Sequence, residues 1–85
     1  MKQFSYVLTG SDGLDARLTG ILARTAARFK SAVSVQKGAE SALLSDARAV
    51  LTLGARCGDQ LRVIAEGIDE EAAVAAMQQY FVFNL

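Results

Sequence analysis

The sequence predicts an α+β fold: an open-faced sandwich in βαββαβα order, with three helices on one face of a four-stranded antiparallel sheet. Three observations predict it. Four short segments alternate apolar and polar residues, the period of half-buried strands, and three others space apolar residues for one helix face. Proline is absent, and every glycine except Gly20 falls where one segment gives way to the next. Hydrophobic residues make up 52% of only 85 residues, enough for one core and too little chain for two domains. Residues 1–85 are therefore expected to form a single domain.

Residues 2–9 open the chain as a strand: Phe4, Tyr6 and Leu8 share one face, Gln3, Ser5 and Thr9 the other, and Val7 breaks the pattern. Thr9 to Gly13 is a loop by composition. Leu14, Leu18, Ile21, Leu22, Thr25, Ala26 and Phe29 then fall on one helix face, with Asp15 at the N-cap and Arg17, Arg24 and Arg28 largely opposite. Val33 and Val35 alternate in a second strand. Lys37-Gly38 is expected to turn the chain, and Glu40 to Leu43 to return it. Ser45 or Asp46 caps a short helix over Ala47, Val50 and Leu51, which Gly54 ends. Leu61, Val63 and Ala65 mark the fourth strand. Asp69, Glu70 and Glu71 open the last helix, acids at the positive end of its dipole, and Ala73, Val74, Met77, Tyr80 and Phe81 form its apolar face.

Composition excludes several functions. Nine basic residues balance nine acidic ones, so the surface excess that direct nucleic-acid binding needs is missing. The longest wholly apolar run is Ala72 to Met77, far short of the ~20 residues of a membrane span. The N-terminus shows no signal-peptide pattern. One cysteine makes no internal disulfide, and a reducing, cytoplasmic setting fits. There is no histidine, hence no Ser/His or Cys/His pair and no imidazole for a metal; no metal, no cofactor and no enzymatic activity are expected.

The string Gly13-Leu14-Asp15-Ala16-Arg17-Leu18-Thr19 resembles the active-site loop of HPr, the histidine-containing phosphocarrier of the bacterial sugar phosphotransferase system, where the family usually reads Gly-Leu-His-x-Arg-Pro-Ala. Leu51-Thr52-Leu53-Gly54 and the stretch Leu61 to Ala72 are similar to later segments of that family, without gaps. The resemblance implies the same βαββαβα fold. It also implies a site at which a histidine takes a phosphoryl group from a phosphoenolpyruvate-dependent enzyme and hands it on. Here Arg17 is kept, but Asp15 stands at the histidine position and Leu18 at the proline. A carboxylate there would repel an incoming phosphate, so phosphocarrier activity is expected to be absent. Many Gram-positive members carry a serine, phosphorylated by a kinase, at the start of the short helix. Asp46 stands there, with Ser45 before it. Its single charge would imitate phosphoserine weakly and permanently. Loss of the histidine together with a negative second site resembles the family's regulatory paralogues, although those generally keep the serine.

The function this implies is regulatory or adaptor binding to another protein: a phosphotransferase-system component, a transcription regulator or a metabolic enzyme. By resemblance the docking surface comprises Arg17, Gly20, Ile21, Arg24, Ala47, Arg48, Ala49 and Leu51. Ile21 and Leu51 could instead face the core. Asp15 reads best as an N-cap worth about 1 kcal/mol. The rival readings are a phosphoryl carrier whose acceptor has moved to Asp15 or Ser45, or a structural remnant. Arg17 binds a phosphate or a partner's carboxylate, or is simply solvated or ion-paired with Asp15, and Cys57 reads as a spectator. The apolar tail Tyr80 to Leu85 seals the core or joins an oligomer contact.

Overall fold

The computed structural model describes residues 1–9 and 13–84, so part of the predicted loop before the first helix, and Leu85, lie outside the described residues. The elements follow the predicted order: β1 (Lys2–Val7), α1 (Ala16–Ala26), β2 (Ala32–Lys37), β3 (Glu40–Leu43), α2 (Ala47–Thr52), β4 (Gln60–Glu66) and α3 (Glu70–Asn84). All three strand pairings are antiparallel, in the order β1-β4-β2-β3. The last strand thus inserts between the first and the second. Phe4 faces Val63, which in turn faces Val35. This register gathers Leu61, Val63, Ala65, Val33 and Val35 on the face that the helices cover. Gln3, Ser5, Arg62, Ser34 and Gln36 fall on the other, as a half-solvated antiparallel sheet requires.

Two boundaries differ from the expectation. Strand β1 stops at Val7, because Leu8 leaves the sheet ladder to exchange backbone hydrogen bonds with Gly58 and Asp59. The hairpin turn is Gly38-Ala39, with Lys37 and Glu40 as the last pair. Gly38 supplies the positive φ that the first central position of a type II′ turn needs, and Ala39 keeps a negative one.

The stripe of α1 that is buried runs through Thr19, Leu22 and Ala26; Leu18, Ile21 and Thr25 sit on its shoulders. The helix lies between α2 and α3, which widens the half-buried zone on both sides. The buried Thr19 hydroxyl is satisfied within the helix by donating to Ala16 O. Burial is uneven across the predicted apolar faces. Phe4, Tyr6 and Val74 are only half-buried, whereas Phe81, Leu8, Leu44 and Val50 are fully enclosed. Phe4 and Tyr6 lie on the edge strand β1, so they meet the core from one side only. Both set their rings edge-on to Phe81, at 5.6 and 5.7 Å between centroids. The first part of the apolar tail therefore seals the core, while Val82 and Phe83 point outward.

Asp69 does more than favour a helix dipole. Its carboxylate accepts hydrogen bonds from the Ser31 hydroxyl and from the Lys30 and Ser31 N–H groups, tying the entry of β2 to the start of α3. The Ser31 hydroxyl is the main cause holding this carboxyl below its ordinary value, with the Lys30 N–H next.

Leu22 is wholly enclosed. Leu22→Ala should lower stability in chemical denaturation by ~2–4 kcal/mol, through lost burial and a residual cavity. For Asp69 the folded pKa is depressed, so its contribution is complete above the unfolded value of about 3.9 and fades as pH falls through the folded value. The stability gap between wild type and Asp69→Asn should therefore be widest near neutrality and narrow on acidification below about pH 4, as urea midpoints at several pH values would read.

Candidate functional site

The approach to α1 is set by backbone contacts. Gly13 has φ +62°, and a Cβ there would sit 2.4 Å from Ala55 O, so only glycine fits. The next N–H, of Leu14, donates to that same carbonyl at 3.1 Å. The chain then enters α1 through Asp15, extended at φ −96° and ψ 177°, whose Oδ1 accepts from the Leu18 N–H at 2.8 Å. Asp15 is thus the N-cap, as expected, and its carboxylate occupies a donor that the open helix end would otherwise offer to an anion. Arg17, two residues on, is exposed and makes no ion pair among the described residues.

The start of α2 repeats the device. Of the two expected candidates, Asp46 is the cap, accepting from the Ala49 N–H at 3.2 Å, and Ser45 is exposed beside it. The two helices pack on each other. Along them Arg17, Arg24, Arg48 and Leu51 are exposed, and Gly20, Ile21, Ala47 and Ala49 are half-buried. Ile21 and Leu51 are not core residues: their neighbours Leu22 and Val50 occupy those positions, and Leu51 is 42% exposed. Small and apolar side chains flanked by guanidinium groups make a surface suited to a protein partner.

Sequence reasoning missed two parts of this region. Tyr80, on α3, stands beside α1 in a groove that also includes Thr25, Gln79 and Phe83. Burial pushes its phenol above the ordinary value. Arg17 and Arg24 oppose that shift and Asp15 reinforces it, so the groups of the α1 surface are felt at this hydroxyl. Only the apolar character of the tail hinted at such a place. The second is Asp59 in the turn before β4, whose Oδ2 accepts from the Arg56 N–H at 2.8 Å. That bond, with the ammonium of Lys37 next to it, holds the carboxyl below its ordinary value. Cys57 is exposed in the same turn, its Sγ 3.8 Å from Thr9 O. Among the described residues, no group of three or more His, Cys, Asp or Glu is placed to hold a metal ion. No helix among them is long and apolar enough to cross a membrane.

Comparison with known proteins places this geometry in a family. The family model described as "PTS HPr component phosphorylation site" matches residues 2–82. The "Phosphocarrier protein HPr" of Mycoplasma genitalium is 36% identical over 80 residues, covering 92% of this chain and 90% of its own. That of Mycoplasma capricolum is 27% identical, covering 96% and 92%. A solved histidine-containing phosphocarrier protein of Mycoplasma superposes with a TM-score of 0.93 at 26% identity, covering 96% of this chain and 93% of its own. Crh, described as the Bacillus subtilis catabolite repression containing protein and as a dimer with a swapping domain, superposes at 0.78 with 25% identity. There the coverage is 100% of this chain and 98% of Crh. The match of a family model over residues 2–82, a relative 36% identical over most of both chains and near-complete superposition leave one assignment: the chain belongs to the HPr family of the phosphotransferase system.

Proposed function

We propose that this chain acts as one HPr-like domain in the cytoplasm that does not carry phosphoryl groups on histidine and instead regulates or adapts by binding another protein. The observation that carries the reading is the pairing of a histidine-free sequence with an aspartate N-cap at the family's acceptor position. A phosphocarrier of this family needs an imidazole nitrogen as nucleophile. Asp15 offers a carboxylate already engaged with the Leu18 N–H. The rest of the docking face remains suited to recognition: Arg17 and Arg24 are free of ion pairs among the described residues, and Ile21, Ala47, Ala49 and Leu51 lie between charged groups. Asp46 and Ser45 stand at the regulatory position, where the Asp46 carboxylate keeps a permanent negative charge at the start of α2. The partner is a phosphotransferase-system component, a transcription regulator or a metabolic enzyme.

Incubation with a phosphoenolpyruvate-charged general phosphotransferase enzyme should leave the mass of the protein unchanged. A stoichiometric gain of one phosphoryl group would overturn the reading. Its disappearance in Asp15→Asn or Ser45→Ala would identify a shifted acceptor.

The role of Asp46 can be read separately from its capping. Ser caps almost as well as Asp, so Asp46→Ser should keep the fold. Affinity for a partner recovered with the wild-type domain should fall by the ~1.5–3 kcal/mol of a charged hydrogen bond. Asp46→Lys should weaken it further. Equal titration curves for all three proteins would reduce Asp46 to a helix cap.

A further inference from the structure

Period-two alternation places Lys37 on the same sheet face as Val33 and Val35, at its rim, where another apolar residue would extend the core. Its stem runs under the end of α2 instead. Nζ donates to Leu53 O at 3.1 Å and to Gly54 O at 3.3 Å, and pairs with Asp59 Oδ2 at 3.5 Å. The carbonyls at a helix C-terminus have no intrahelical donors, and a cation there is favourable to the helix. Lys37 supplies both needs from a different element.

The consequences spread through the segment from residue 53 to 59. Asp59, paired with the ammonium, accepts from the Arg56 N–H through its side chain and from the Leu8 N–H through its carbonyl. Gly58 N–H returns a bond to Leu8 O. Between these fixed points lies Ala55, whose carbonyl receives the Leu14 N–H and against which Gly13 is packed without room for a Cβ. Leu14 leads directly into the Asp15 cap. A single ammonium group therefore ties the end of α2 to the segment that seats the beginning of α1.

We propose that Lys37 is a positioning residue: it fixes the entry turn of α1, with Asp15 and Arg17, relative to α2. Its importance for docking rests on the partner-binding reading above, but its effect on the turn does not. The connection is specific to charge and reach. A methionine would keep the apolar stem and lose all three contacts, whereas an arginine would keep a donor and a positive charge at the same rim.

Amide hydrogen exchange of Lys37→Met and Lys37→Arg, followed by NMR, separates this from general destabilisation. In Lys37→Met the amides of Leu14, Leu8 and Arg56 should exchange about tenfold faster, the scale set by one lost charged hydrogen bond. The amides of Leu61 and Val63, held in the central strand, should be unaffected. Lys37→Arg should restore most of the protection. Unchanged protection at Leu14, or equal loss at Leu61 and Val63, overturns the assignment. Titration of a captured partner against the same variants tests the docking reading by itself: Leu14 loosened with affinity intact would sever the turn from binding while leaving the positioning role in place.

Discussion

The insertion of β4 between β1 and β2 is the constraint on which the molecule depends. Without β4 the first strand has no partner, and the β2–β3 hairpin is open along both strands. An isolated hairpin is marginal in water. With β4 in place, Leu61, Val63 and Ala65 become fully enclosed, and both neighbouring strands present their apolar residues to the same helices. The helices follow from this sheet. Helix α3 crosses the three strands that β4 unites, α1 lies against α3, and α2 fills the space over β3. Both faces of the candidate docking surface are consequently held by contacts made far away in sequence.

Much of this was legible because the periodicities were clean. Leu61, Val63 and Ala65 alternate with Arg62 and Glu66, broken only by Ile64, and Asp15 and Asp46 cap the helices whose starts they mark in the sequence. The strand order was not legible: alternation says which face a residue takes and nothing about its neighbour. The half-burial of Phe4 and Tyr6 has the same origin, since β1 is an edge and leaves them covered from one side only. At the site, the string from Gly13 to Thr19 disclosed the capping aspartate and the arginine. Lys37, Asp59 and Asp69 gave no comparable signal. Each acts on backbone groups 16 or more residues away or, for Asp59, on a turn closed by such a contact, and spacing along the chain does not encode those meetings.

Three aspartates share a physical task here and differ in where they perform it. Asp15 and Asp46 each accept an N–H of their own helix three residues on, whereas Asp69 reaches across to the entry of β2. Under the proposed function, the first two stand where the family carries its phosphoryl chemistry. A side chain chosen there for capping stabilises the helix and removes the imidazole at one stroke. The HPr architecture holds with a capping aspartate at the start of α1, so the fold itself does not require an imidazole there.

The edge position of β1 bears on how the protein is made. Strand β1 is synthesised well before the strand it pairs with, which ends at Glu66. A growing chain must therefore leave the ribosome with an unpaired, half-apolar strand exposed until residues 60–66 have emerged. The aromatic ring that covers that strand, Phe81, arrives later still. Pairing of β1 during synthesis is thus deferred until β4 and Phe81 have emerged, and the interval is the one in which Phe4 and Tyr6 are available to chaperones or to neighbouring nascent chains.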